Sequence, residues 1–205
     1  MSDTKTKAGN ARATGATETD GRRKRSERSK HRIAAAMIDL IMEGDLTPSA
    51  EAIAERAEVG LRSVFRHFKD MDSLFLEVSK IFRKEHGLTS SPELEGDTWE
   101  EQLTNLIHYY SALYDQILPM IQATRLYLHR SRVMREDHTV MNGYQRQILL
   151  EVLPKHLHSK WEVIESLDAV MSTVFWKRLR IDQGLPSAKA QKIVESLVAS
   201  ILRSV

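Results

Sequence analysis

The segment TPSAEAIAERAEVGLRSVFRHFK, Thr47 to Lys69, decides the fold. It reads as two short helices joined by a tight turn. Ser49 is placed to cap the first, its hydroxyl oxygen accepting a bond from an otherwise unpaired amide of the first turn. Ile53, Ala54 and Ala57 then recur at helical spacing, an apolar stripe whose alanines let a second helix approach closely. The second helix, about Leu61 to Phe68, buries Leu61 or Val64 together with Phe68. Arg62, Ser63, Arg66 and His67 are left mostly on other faces. A short helix held by a partner and presenting Arg, Ser and His suits the reading of base edges in a major groove.

Working outward on the N-terminal side, Ile33, Ala36, Met37, Leu40 and Ile41 follow helical spacing and predict a helix from about Ser26 to Met42, stopped by Gly44. Residues 1–21 lack bulky apolar side chains and are expected to be disordered. Between them, residues 22–32, RRKRSERSKHR, hold seven Lys or Arg against one Glu. The overall charge of +2 therefore hides a basic block placed just ahead of the two short helices. Such a block suits either a solvated tail or an arm, led by Arg22, Arg23, Lys24 and Arg25, that neutralises phosphates or enters a minor groove.

On the C-terminal side, Asp70 is placed to cap a fourth helix whose broad apolar face holds Met71, Leu74, Phe75, Val78, Ile81 and Phe82 and which ends near Gly87. The run GLTSSPELEGD, Gly87 to Asp97, is a linker by composition. Thr98, with Glu101 three residues on, predicts a capping box for a fifth helix. Pro119 interrupts or starts the next segment. Further helices are expected at about 120–134, 138–157, 160–182 and 187–203, with Pro154 kinking or shortening the second of these and Ser187 capping the last. No strand-like alternation persists, so the chain reads as all-α. Ile164, Leu167, Met171, Val174 and Phe175 share one face of the penultimate helix. Ile193, Val194, Leu197, Val198, Ile201 and Leu202 share one of the last. These faces suit either the core of one chain or a twofold pairing of two copies.

Composition narrows the classes of function. With 41% hydrophobic and 28% charged residues the chain is expected to be a soluble globular protein. There is no cysteine, which excludes disulfide and thiolate chemistry and fits a reducing cytoplasm. No apolar run reaches membrane-spanning length, and the N-terminus shows no apolar signal segment. His156 and His158 lie two residues apart, on different faces of a helix. His129 with Glu136, and His138 with Asp137, lack metal-ligand spacing. No HExxH, GxSxG, P-loop or GxGxxG occurs, so neither catalytic residues nor a cofactor or metal are expected.

Three stretches, RIAAAMIDLIMEG, IAERAEV and VFRHFKDMDSLFLEV, resemble in order and spacing the DNA-binding domain of tetracycline-repressor-like (TetR family) transcriptional regulators. The resemblance covers about Lys30 to Val78. It departs from the family at Glu58, where the turn usually carries Gly; at Gly60, where Ser usually caps the second helix; and at Phe65, which replaces a Tyr. What it implies is a double-stranded DNA partner, with Arg62, Ser63 and Arg66 at base edges and Gly60 and Leu61 near bases or backbone. Ser49, Phe65, His67 and Lys69 match positions that contact or pack near phosphates. It further implies a homodimer through the last two helices and a small-molecule effector, of unknown identity, in the second domain. Tyr109, Tyr110, Leu113, Tyr127, Met134, Phe175 and Trp176 are candidates for an aromatic and apolar wall, with His108 and Arg125 as polar anchors. Each of these aromatics also suits an ordinary core.

The expected architecture is all-α, with an N-terminal three-helix helix-turn-helix DNA-binding domain and a C-terminal helical ligand-binding and dimerisation domain. The divisions fall at 1–25 (disordered basic arm), 26–86 (DNA-binding domain with connecting helix) and 87–205 (effector-binding and dimerisation domain). The expected function is a ligand-responsive regulator, a repressor, binding a palindromic operator as a homodimer. The rival is an architectural DNA-binding protein without an effector. A specificity ratio between operator and random DNA separates the two.

Overall fold

Side-chain caps at Ser49 and Asp70 open two of the first four helices. The computed structural model describes residues 14–88 and 90–203, with side chains from residue 23 onward. Helices α1 (Thr14–Met42), α2 (Ala50–Arg56), α3 (Leu61–His67) and α4 (Met71–Glu85) come first. Ile33, Met37 and Ile41, spaced by four, bury one face of α1 completely. The Ala52 amide donates to Ser49 Oγ at 3.1 Å and opens α2. At α4 the bonding is reciprocal: the Ser73 amide donates to Asp70 Oδ1 at 2.8 Å and the Asp70 amide to Ser73 Oγ at 3.2 Å. The Ser73 amide, and after it the Ser73 side chain, holds the Asp70 carboxyl below its ordinary range.

Eight further elements follow among the described residues. They are α5 (Trp99–Gln116), α6 (Leu118–Arg130), α7 (Arg132–Val152), a 3-10 turn (Lys155–Leu157), α8 (Trp161–Val170), α9 (Thr173–Lys177) running into a π turn (Arg178–Asp182), and α10 (Ser187–Arg203). No strand occurs among the described residues. The Thr98–Glu101 capping box forms as expected, and Pro119 lies in the first turn of α6. Gly96 just before that box is at φ +121°, and a Cβ there would stand 2.7 Å from Glu101 Cβ, so the bend needs glycine.

Three boundaries and one cap differ from expectation. Helix α1 starts at Thr14, not near Ser26, so from that residue the expected arm is helical; residues 1–13 lie outside the described residues. From Arg22 onward its Arg, Lys and Glu are good helix formers and need no core of their own when continuing a packed helix. Helix α7 begins at Arg132, because the Ser131 hydroxyl accepts from the Met134 amide. The helix expected over 160–182 breaks at Met171 and Ser172. Ser172 Oγ receives the Phe175 amide at 3.2 Å and donates to the Ala169 carbonyl at 2.7 Å, closing one helix and opening the next. Ser187 does not cap α10; the Pro186 carbonyl takes the amides of Lys189 and Ala190.

Asp115 of α5 receives Trp176 Nε1 at 3.0 Å and Arg180 Nε at 2.5 Å. Burial pushes this carboxyl up, but the polar side chains of Ser187, Arg180 and Trp176 around it outweigh burial and hold it below its usual range. One carboxylate thus joins α5, α9 and the π turn. As expected, α7 ends ahead of Pro154, with Leu153 already extended.

Helix α1 packs on α2, α3, α4 and α6; α4 also packs on α7, and α10 on α5 and α8. The buried apolar core runs unbroken from Ile33 to Val198. The described linker residues hold no helix and are tied down, Asn105 Nδ2 donating to the Glu95 carbonyl at 2.7 Å and Ser91 Oγ to Glu151 at 3.0 Å. No helix among the described residues is long and apolar enough to cross a membrane.

Candidate nucleic-acid interface and inner cavity

The turn between α2 and α3 fixes how α3 is presented. Glu58 sits at φ +51°, the left-handed region that favours glycine. The Val59 amide reaches the Ala54 carbonyl at 2.9 Å and the Glu58 amide reaches Glu55 at 3.0 Å, the paired bonds of a Schellman turn. Glu58 therefore keeps the geometry that glycine would give. Arg32 of α1 braces it: Nη2 donates to the Ala57 and Glu58 carbonyls and lies 3.7 Å from the Glu58 carboxylate. A non-glycine residue here costs about 1–2 kcal/mol, whereas the exposed ion pair is worth under about 1 kcal/mol. Glu58→Gly is accordingly expected to raise stability by about 1 kcal/mol. Urea unfolding of both forms checks this, and an unmoved midpoint would mean that the turn carries no strain.

Gly60 caps α3 without a side-chain bond, as its lack of a hydroxyl dictates. Val64 and Phe68 are buried and anchor the helix, which settles the choice between Leu61 and Val64. Leu61 is 38% exposed and Phe65 50% exposed. Arg62, Arg66 and Lys69 are exposed, and Ser63 and His67 are half-buried. Neither Arg62 nor Arg66 makes a hydrogen bond or ion pair among the described residues. An exposed ring beside two such guanidiniums has no role in holding the fold. Burial pushes the His67 ring pKa down, helped by Arg66 and Lys30 and opposed by Glu27, and its Nε2 is buried without a partner. Ser49 is exposed at the start of α2, where its oxygen serves as the cap.

The basic block divides by role. Lys30 turns inward, 2.7 Å from Glu77 of α4 and 5.9 Å over the Phe68 ring. Arg32 is spent on the turn. Arg23, Lys24 and Arg25 are exposed on α1, while the Arg22 side chain lies outside those described.

Residues 34–78, covering the second half of α1 through the middle of α4, match the family of bacterial regulatory proteins described as the tetR family. Over these residues the chain is similar to the tetR family. No curated protein matches its sequence. Among solved structures it is similar to a transcriptional regulator from Rhodococcus sp. Rha1, at 19% identity over 85% of this chain and 96% of that one, with a TM-score of 0.63. It is also similar to a Rhodococcus protein described as a TetR-family transcriptional regulator, at 13% identity, 85% and 98% coverage and a TM-score of 0.64. A Streptomyces coelicolor transcriptional regulator aligns at 21% identity, 83% and 98% coverage and a TM-score of 0.59. At these identities the likeness is one of fold. The matched residues are those of bacterial regulatory proteins, and they span α2, α3 and the turn between them, a helix-turn-helix.

The tetR-family resemblance also implied an effector pocket, and the residues named for it do not converge. A cavity of about 90 Å³ lies between α4, α6 and α7. Of the nine candidates only Arg125 lines it. His108 is at the surface, 2.8 Å from Glu195. Tyr127 stacks on Phe75 at 3.9 Å. Leu113 and Met134 are buried core, and Tyr109 packs half-buried against Tyr110. Tyr110 and Trp176 line a separate void of about 10 Å³. Phe175 lines an outer groove that shares Arg125. Helix rotation turns most of these aromatics into the core, where large rings bury most apolar surface. The cavity is walled instead by Phe82, Met120, Ile121 and Met141, with Ser79, Arg83, Asp137 and His138 as polar members. The missed signal was polar residues set among the apolar ones, such as Ser79 one turn from Phe82. Among the described residues no three His, Asp or Glu side chains converge as a metal site.

Proposed function

We propose that the chain is a ligand-responsive transcriptional regulator, a repressor, that acts in the cytoplasm and binds a palindromic operator as a homodimer. The observation that carries the reading is the outward face of α3, where Arg62, Phe65 and Arg66 stand exposed on a helix anchored by Val64 and Phe68. Arginine pairs bidentately with guanine O6 and N7. One such helix reads only a few base pairs, and a dimer pairs two half-sites about 34–36 Å apart or a multiple of that. Selection from random DNA is expected to return an inverted repeat; a sequence-tolerant result would favour an architectural role.

Arg62→Ala and Arg66→Ala are each expected to weaken operator binding by about 1–3 kcal/mol and to relax preference at one base. Competition with single-base operator variants checks this. Equal weakening on every sequence would reassign that arginine to a phosphate.

The pairing of copies is supported by what the last helices leave uncovered. Ile164, Leu167 and Met171 are used up in the core of the chain itself, while Trp161 of α8 and Leu197 of α10 remain exposed, Leu197 at 37%. Trp161 and Ile201 line one groove. Leu197→Glu is expected to leave the monomer folded, since the position is not core, and to abolish dimers, because a charge would be desolvated in an apolar interface. Sedimentation and circular dichroism report the two effects separately. A folded variant that stays dimeric would move the interface elsewhere.

Effector response is supported by α4. Asp70 starts it next to α3, and Ser79, Phe82 and Arg83 end it on the cavity wall. A ligand releases DNA only if it prefers the conformation that does not fit the operator.

A further inference from the structure

The inner cavity carries one charge that the protein leaves uncompensated. Its walls are largely apolar, formed by Phe82, Ile117, Met120, Ile121 and Met141. Arg83 is neutralised by Asp137 in a two-pronged pair, Nη1 to Oδ2 at 2.6 Å and Nη2 to Oδ1 at 2.9 Å. Burial, and after it Arg125, pushes the His138 pKa down, so that ring is not a standing cation at neutral pH. Arg125 makes no ion pair or hydrogen bond among the described residues. It also lines the groove outside, of about 440 Å³, where Lys177 and Arg178 stand with Asp182 as the lone carboxylate. The groove beside Arg125 therefore carries a net positive charge, and Arg125 itself stands there as a planar guanidinium without an anion.

A second polar group faces the cavity. Ser79 lines it from α4, and its hydroxyl oxygen is buried with no hydrogen-bond partner. A buried hydroxyl left so costs free energy that a ligand's polar atom would remove. Size narrows the choice further. At about 10–15 Å³ of such volume per water-sized group, the cavity has room for roughly six to nine non-hydrogen atoms.

We propose that this cavity binds a small apolar monocarboxylate, its carboxylate on Arg125 at the rim and its body against Phe82, Met120 and Ile121. Arginine is matched to carboxylate by its fork of donors. The neutral Arg83–Asp137 pair offers no second cation, which disfavours dicarboxylates. The positive groove excludes amines and draws anions inward. This rests on the effector reading above and names the class of effector.

The test compares hexanoate and benzoate with the amides and amines of the same skeletons, on the full chain, by calorimetry and by release of selected operator DNA. At least one acid is expected to bind tenfold or more tightly than its amide, and the amines not at all. Arg125→Gln, at an exposed position, is expected to keep fold and DNA binding and to erase the acid's advantage over the amide. Amides or amines that match the acids, or an acid advantage that survives Arg125→Gln, would overturn the assignment, as would failure of all six compounds to bind. A neutral compound from a wider screen that releases DNA would overturn the acid class and keep effector control. An acid that binds through Arg125 without releasing DNA would keep the class and overturn effector control.

Discussion

Phe75→Ala is expected to lower the free energy of unfolding by about 3–5 kcal/mol. Phe75 is fully buried on α4 and its ring lies nearly parallel to that of Tyr127 on α6, 14° apart in plane. Truncation removes the transfer free energy of the ring and leaves a cavity that the surrounding helices fill only in part. It also removes the ring pairing, worth about 0.5–1.5 kcal/mol beyond burial. The joint has an outer seal: the Arg130 guanidinium sits 4.3 Å over the Tyr127 ring and lies 3.9 Å from Asp72 of α4. Because α4 and α6 lie in one continuous core, unfolding should remain a single transition with a lower midpoint and an unchanged slope. A loss under about 1 kcal/mol would mean that the joint is loosely packed.

Arg83→Ala is expected to cost about 3 kcal/mol or more, because it strands a carboxylate with little access to water. Arg83 is 15% exposed and Asp137 16% exposed, so neither partner can turn to solvent. The pair joins α4 to α7 and forms part of the cavity wall. Replacing both, as Arg83→Met with Asp137→Leu, is expected to recover most of the loss, since two apolar groups leave no orphaned charge. Urea unfolding of the two single variants and the double variant measures the coupling. Single and double variants that lose the same amount would show that packing of the Arg83 chain, not charge, holds the contact.

What was legible in the sequence was local. Ser49, Asp70 and Thr98 act as caps where their spacing to the next amide or carboxylate says they should, and Pro154 stops α7 because its ring cannot continue a helix. The motif helices followed, as did Val64 and Phe68 as anchors. The break at Ser172 was also local chemistry, a serine able to cap both ways, but it was hidden inside an apolar run of helical period. What was not legible depended on partners distant in sequence. Arg32 reads as one more cation in a basic block until the turn it braces is seen beside it. The cavity lies where α4, α6 and α7 meet, and no one segment reveals which of its polar residues will face that junction.

The brace from Arg32 to the turn has a consequence for how this chain can change. Glu58 departs from the family's glycine, and a residue of α1 holds the departure in place. The two positions are therefore epistatic. With glycine at 58, Arg32 is free to drift, because the turn needs no outside support. With glutamate, loss of Arg32 leaves an unfavourable backbone angle without its bonds. The order of substitution matters along any mutational path, and sequences reaching glutamate at 58 should have acquired the arginine first.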